Sequence, residues 1–173
     1  MPSERSSPND LRGLLTYQWG ALLIFYIVMP VGVSWLSYRH GWSGHHPGVA
    51  NLLGFLPLMA GLAIAIWANL EHFRKARRHG WRSVMIRFEA SPYLIESGPY
   101  RYTRNPIYLS HLLVWWGWAL FFGSVAVAVA AAITWTSLAL VVLPYEERRL
   151  KENFGKSYKA YLGRAPRWLG RTS

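Results

Sequence analysis

Three stretches of this chain contain no Lys, Arg, Asp or Glu: residues 13–38, 47–70 and 105–145. A soluble protein spreads its apolar residues through amphipathic elements, whereas here they are gathered into long uncharged runs. Crossing a bilayer takes about 20 predominantly apolar residues. The first two stretches therefore allow one crossing each. The third, with 41 residues, allows two, with Gly123-Ser124 as the turn between them. The expected fold class is all-α, an integral membrane helical bundle in a single domain covering residues 1–173. Four transmembrane helices are expected at 14–36, 48–70, 106–122 and 125–143. Residues 1–12 read as a flexible polar tail and 144–173 as a cytoplasmic helical segment. A soluble bundle and a three-span arrangement are the competing architectures.

The net charge is +11, and the charges lie outside these runs. Two basic residues precede the first span, one (Arg39) lies between the first and second, eight between the second and third, and eight follow the fourth. With four spans, 18 of the 19 basic residues fall on one side. Lys and Arg concentrate on the cytoplasmic side of membrane proteins. The expected product is a multi-pass protein of a plasma or inner membrane with both termini cytoplasmic. This distribution accounts for the positive charge without nucleic acid, and no recognition-helix or zinc pattern accompanies it. The absence of Cys removes disulfides and thiolate chemistry. The first apolar run lacks a small-residue cleavage site and reads as a retained span rather than a signal peptide.

Local signals refine the spans. Pro30 and Pro57 fall inside the first two helices, as membrane helices tolerate. Gly54 and Gly61, seven residues apart, predict a face for close packing. The second helix turns abruptly polar after Trp67, and Glu71 precedes Lys75 at a helix-supporting spacing. Residues 83–104 are rich in turn formers and read as a surface loop. Pro106 is a helix-start signal. The fourth helix is rich in Ala and is expected to end at Pro144, with an amphipathic helix following and a break near Gly155. Trp115, Trp116 and Trp118 read as a lipid-facing and packing stripe, with an acceptor-binding wall as the alternative.

The hairpin formed by the third and fourth helices brings two polar segments together. Tyr100, Arg101, Arg104 and Asn105 precede it, and Glu146, Glu147, Arg148 and Arg149 follow it. Ionisable groups at membrane depth are costly unless paired or functional. Adjacent residues on a helix diverge by about 100°. Glu146 and Glu147 thus have two readings: both balance the arginines and cap a surface helix, or one faces a ligand while the other pairs with an arginine. His40, His45 and His46 read as exposed loop residues, and His72 and His79 lack a ligand pattern, so no metal site is expected.

The segment GPYRYTRNPIYLSHL, joined through the hairpin to PYEERRLKENFGKSYKAYLGRAPR, resembles the isoprenylcysteine carboxyl methyltransferase and phospholipid methyltransferase superfamily. The resemblance covers residues 97–167. It implies a membrane enzyme that takes a methyl group from S-adenosyl-L-methionine, with the C-terminal segment completing the cofactor pocket. Arg104, Pro106 and Tyr108 match that family's Arg-His-Pro-x-Tyr motif, and Asn105 stands where the family has His. Glu146 and Glu147 match its Glu-Glu pair, and Phe154-Gly155, Tyr158 and Tyr161 match the residues C-terminal to that pair. The implied cofactor-binding set is Tyr100, Arg104, Asn105, Pro106, Tyr108, His111, Glu146, Glu147 and Tyr158, with Arg104 and Glu147 assigned to catalysis. His111 has two open readings, pocket lining and a structural hydrogen bond. Arg suits the cofactor carboxylate, Glu its amine and ribose hydroxyls, and Tyr its adenine. The acceptor is expected to be lipophilic and to enter from the bilayer, presenting a carboxylate of a prenylated cysteine, a lipid amine or a thiol. A nicotinamide-dependent sterol-type reductase and a non-enzymatic membrane scaffold are the alternatives. The residues leave the acceptor atom and the oligomeric state undetermined.

Overall fold

The computed structural model describes Gly20, residues 22–36, Trp42, residues 46–78 and residues 93–169. The N-terminal tail, most of the histidine-bearing loop and residues 79–92 of the long basic loop lie outside this set. The described regular elements are helical: α1 (Ile24–Leu36), the short α2 (Val49–Leu52), α3 (Phe55–Arg78), α4 (Pro106–Phe122), α5 (Val125–Ser137) and α6 (Leu143–Leu162). A single 3₁₀ turn, Gly98–Arg101, precedes α4. The runs Val49–Lys75 and Val125–Leu162 are each long and apolar enough to cross a membrane, while α1 and α4 are shorter apolar helices. Large apolar side chains such as Leu56, Met59, Ile133 and Leu140 point outward and are exposed.

Pro144 does not end the fourth helix as expected. The helix continues from Val125 past Pro144, and its first break falls at Gly155, before its end at Leu162. A π-helical turn, Leu138–Val142, lies just before the proline, and the Leu143 amide donates back five residues to the Leu138 carbonyl. An ordinary turn would set the proline ring against the carbonyl four residues earlier. The wider π turn relieves that conflict. The same device precedes Pro30, where Ile24–Val28 is π-helical and the Met29 amide reaches the Ile24 carbonyl. Pro57 interrupts nothing either. It sits in the first turn of α3, and the actual break falls at residues 53–54.

The long contact is between α3 and α4. A Cβ on Gly54 would lie 2.5 Å from the Gly117 carbonyl oxygen and 2.6 Å from the Phe121 nitrogen. A Cβ on Gly61 would meet the Ser110 carbonyl oxygen at 2.8 Å. Backbone therefore packs on backbone, as the Gly54/Gly61 spacing predicted. The exposed end of α4 is also closed by side chains: Asn51 Nδ2 donates to the Leu120 carbonyl at 3.1 Å and Trp42 Nε1 to the Phe121 carbonyl at 2.7 Å. These occupy carbonyls that a helix end leaves without intrahelical partners. Gly123 then turns the chain in the left-handed conformation, and Ser124 caps α5 by accepting from the Val127 amide. The tight return sets the α5–α6 junction beside the start of α4.

The tryptophan stripe divides. Trp115 is buried, Trp116 faces outward, and Trp118 donates to the Tyr26 carbonyl at 2.6 Å. Position on the helix separates them, since consecutive side chains cannot share one face.

Because the Gly54 site has backbone on two sides, Gly54→Ala should destabilise by about 1–3 kcal/mol through overpacking. A thermal melt in detergent should show this as a midpoint lower by about 3–10 °C. Gly163→Ala, whose added Cβ would have its nearest neighbour at 3.6 Å, is the control expected to melt like the parent.

Candidate active site

The site begins at the entry to α4. Asn105 is the residue before the helix-starting Pro106, yet its side chain makes no capping bond. It turns instead to the C-terminal segment, where Nδ2 donates to the Arg167 carbonyl at 2.8 Å. Thr103 Oγ1 donates to the same carbonyl at 3.1 Å, and the Arg104 amide donates to the Pro166 carbonyl at 2.9 Å. Three consecutive residues thus hold the backbone of two others. The sharp break that brings the segment back is Gly155, with φ 47° and ψ −113° inside α6, where the sequence had suggested it. An imidazole N–H at position 105 would present a donor of the same kind as the asparagine amide.

Holding that backbone aims the Arg167 side chain. Its Nε and Nη2 donate to Glu147 Oε1 and Oε2 at 3.1 and 2.8 Å, a bidentate pair. Arg104 Nη1 lies 3.5 Å from Oε1 of the same carboxylate. Glu147 therefore sits between two guanidiniums. Arg104 Nε is buried and has no partner among the described residues. A planar fork with an unused donor suits a second carboxylate.

Glu146 looks elsewhere. Its Oε2 accepts from the Tyr108 hydroxyl at 2.8 Å, and no arginine pairs with it among the described residues. Burial raises its carboxyl pKa, the Tyr108 bond opposes that rise, and the neighbouring Glu147 charge adds to it. The two glutamates thus divide as the helical offset required, but with Glu147 as the arginine-paired member.

Aromatic side chains surround the pair. Tyr158 is 1% exposed and packs in one cluster with Tyr161, Ala165 and Tyr100. Burial pushes the Tyr158 hydroxyl up to about 12. The Tyr161 hydroxyl donates to the Tyr100 carbonyl at 2.8 Å. Tyr100 is in turn hydrogen bonded to His72 Nε2 at 2.6 Å. Burial lowers the His72 pKa from 6.5 to about 4, outweighing the raising effect of Glu71, so this imidazole is neutral at physiological pH. Glu71 accepts from Ser97 Oγ at 2.5 Å. A Cβ on Gly98, whose φ is +62°, would press on the Glu71 side chain at 3.2 Å. Through Glu71 and His72, the polar end of α3 seats the turn that carries Tyr100.

The structure therefore brings together Tyr100, Arg104, Tyr108, Glu146, Glu147 and Tyr158. Asn105 and Pro106 shape the loop rather than pointing a group into the cleft. His111 lies below the cluster, one helical turn past Tyr108, with Nδ1 2.6 Å from the Ile107 carbonyl oxygen and 3.1 Å from the Tyr26 hydroxyl. Sequence reasoning missed Arg167, Thr103 and His72. Arg167 closed the quoted motif, and the break at Gly155 was the signal that the chain returns. Nothing in the local sequence marked His72, because its partner is 28 residues away.

Comparison with known proteins matches this region. A family model described as phospholipid methyltransferase covers residues 55–157. A phosphatidylethanolamine N-methyltransferase from Aspergillus clavatus is 31% identical over 108 residues, which is 61% of this chain and 11% of that protein. The chain thus matches about a tenth of the length of this curated relative. No solved structure matches. The family match spans α3 to most of α6 and stops before Tyr158, Tyr161 and Arg167.

If Asn105 holds the returning segment, Asn105→Ala should loosen it selectively. Losing one neutral hydrogen bond contributes about 0.5–1.5 kcal/mol, so amide exchange at residues 158–169 should speed up about 3- to 10-fold. Exchange in α3 and α5 should not change. Equal protection of residues 158–169 in variant and parent would remove Asn105 from this role.

Proposed function

The chain belongs to the phospholipid methyltransferase family, and we propose that it is an S-adenosyl-L-methionine-dependent methyltransferase acting on a lipid amine at the cytoplasmic face of a membrane. The observation that carries this reading is the convergence of Arg104, Arg167 and Glu147 beside the Glu146–Tyr108 pair at the open end of one helical hairpin. When bound, S-adenosyl-L-methionine supplies an electrophilic methyl group on a sulfonium. Arg104, whose Nε has no partner among the described residues, and Arg167 fit the cofactor carboxylate. Glu147 fits the amine or ribose hydroxyls, and Tyr100, Tyr158 and Tyr161 fit as walls around the adenine.

Glu146 bears on the acceptor. It is a half-buried carboxylate with no arginine partner among the described residues, so it attracts an ammonium and repels an anionic acceptor. An ammonium has no lone pair and must lose its proton before it can attack. A carboxylate whose pKa is raised by burial is suited to take that proton at neutral pH. Tyr108, already donating to Glu146 Oε2, fixes the carboxylate's orientation. A carboxylate acceptor, already ionised, would have no use for this arrangement. The name of the Aspergillus relative, which specifies phosphatidylethanolamine, supports the same acceptor class.

In this reading α1, residues 49–70, α4 and residues 125–143 are the four crossings, and both termini lie in the cytoplasm with the basic loop. Reporter tags after Ser173 and between Arg77 and Gly80 should then be cytoplasmic, and one at Gly44 should lie on the opposite side. Opposite-side labelling of Ser173 and Gly80 would overturn the arrangement.

The site is tested by titrating cofactor into purified variants. Arg104→Ala, Arg167→Ala and Glu147→Gln should each weaken S-adenosyl-L-methionine binding by about 10- to 100-fold, the equivalent of one charged hydrogen bond. Glu146→Gln should keep most cofactor binding while methyl transfer to phosphatidylethanolamine falls at least tenfold. Mass and helicity in detergent check that each variant is folded. Parent-like cofactor binding by all three of the first variants, or saturable NADPH binding in its place, would reject the proposal.

A further inference from the structure

Leu140 and Val141 are exposed apolar side chains about a turn before charge begins at Glu146. Tyr145, four residues past Val141, is also exposed, and Arg149 follows it by another turn of α6. Residues four apart share a helix face, so Val141, Tyr145 and Arg149 form one line that runs aliphatic, aromatic, cationic. That is the order of a bilayer from its acyl chains through the interfacial belt to the headgroups. Arg149 bends back along this line, with Cζ 6.0 Å from the centre of the Tyr145 ring. Its guanidinium thus lies beside the first turn of α6, close to the level of Glu146.

Arg149 has carboxylates at pairing distance in sequence and pairs with neither. Glu146 and Glu152 stand three residues to either side of it, a spacing at which side chains on a helix meet. Among the described residues no ion pair joins Arg149 to either one, and its guanidinium turns to Tyr145 instead. Its Nε is buried and has no hydrogen-bond partner there. The terminal amino groups are not sealed in this way and also lack a partner among the described residues, so they are the donors left for a ligand. A guanidinium steadied against an aromatic ring, with its outer donors open, is shaped for an oxyanion. Glu146 has spent one oxygen on the Tyr108 hydroxyl. One helix face therefore presents a carboxylate and a guanidinium side by side and not paired to each other.

The complement of that arrangement is a zwitterion with an ammonium and an oxyanion a short bridge apart. Side chains three residues apart on a helix start about 5–6 Å from each other, and the ethylene bridge of an ethanolamine phosphodiester sets its two charges a comparable distance apart. We propose that the terminal amino groups of Arg149 bind the phosphodiester of the lipid acceptor while its ammonium lies at Glu146, so that α6 reads both charges of the headgroup. The assignment rests on the lipid-amine reading above and deepens it. Arg149 becomes a residue that determines specificity, favouring a lipid amine with a phosphate next to it over a lipid amine without one. Tyr145 keeps the guanidinium at headgroup depth by holding it over its ring.

The test compares two lipids that share a primary ammonium, phosphatidylethanolamine and a long-chain alkylamine, of which only the first carries a phosphate. Native mass spectrometry of the full chain reads the binding of each. Arg149→Gln should weaken phosphatidylethanolamine binding by about 5- to 20-fold, one charged hydrogen bond discounted for partial exposure, and leave alkylamine binding within about twofold of the parent. Arg149→Lys, which keeps the charge without the planar fork, should fall between Arg149→Gln and the parent. Glu146→Gln should weaken both lipids. Parent-like cofactor binding by the Arg149 variants checks their folding. Parent-like phosphatidylethanolamine binding by Arg149→Gln, or an equal loss of both lipids, overturns the proposal. So does displacement of phosphatidylethanolamine from the parent by millimolar inorganic phosphate, which would make Arg149 a site for free anions. Methyl incorporation is measured separately. Phosphatidylethanolamine binding that depends on Arg149, without methyl transfer to either lipid, would reject the enzymatic reading and leave the phosphate site standing.

Discussion

Glu147 ties together three pieces of chain that are far apart in sequence. Its own helix follows the α4–α5 hairpin, Arg104 comes from the loop before that hairpin, and Arg167 comes from the returning C-terminal segment. The carboxylate is only 16% exposed, and such a charge is costly to bury unless paired. Once it lies at the hairpin mouth, the guanidiniums that meet it must converge there too. The backbone bonds from Thr103, Arg104 and Asn105 to residues 166 and 167 hold Arg167 in position to do so. Those bonds set the position of Tyr158 and Tyr161, and with them the aromatic wall that also holds Tyr100.

The neighbouring glutamate acquires its chemistry from what Glu147 takes up. Arg104 and Arg167 both turn to Glu147, and among the described residues Glu146 is left against Tyr108 with no arginine paired to it. One helical step separates a carboxylate held between two arginines from one held by a tyrosine hydroxyl. The division does not depend on a difference in residue type. It depends on the side of α6 from which the arginines approach, and that is decided by the hairpin and the Gly155 break together.

The helices that carry this site are kept straight enough by local adjustments. Two prolines, Pro30 and Pro144, are each preceded by a π-helical turn that ends two residues earlier. The second lets one helix run from Val125 in the apolar region to the polar residues around Glu146 and Glu147. Without that continuity the two glutamates would hang on a flexible joint. Gly54, Gly61 and Gly117 let α3 and α4 approach backbone to backbone. That close approach allows His72, at the polar end of α3, to reach Tyr100.

The sequence by itself determined the helical class, the uncharged runs, the Gly123-Ser124 turn, the small-residue packing of α3 on α4 and the pairing of the α4 entry with the α6 glutamates. These are consequences of composition, periodicity and the distance a tight hairpin allows, and all are local or nearly so. It misjudged Pro144, because whether a proline breaks a helix depends on whether a neighbouring turn can widen, which residue type does not reveal. It marked both glutamates, with a slight preference for Glu147, but not which of them the arginines reach, since rotation about a helix axis is invisible without neighbours. Tertiary structure alone decided that Arg167 and Arg104 share Glu147, that Asn105 holds the backbone of the returning segment rather than facing the cleft, and that His72 stands behind Tyr100. Each of these contacts joins residues at least 20 positions apart. Their geometry is set by how helices pack and where the chain turns back, and no local pattern of side chains encodes it.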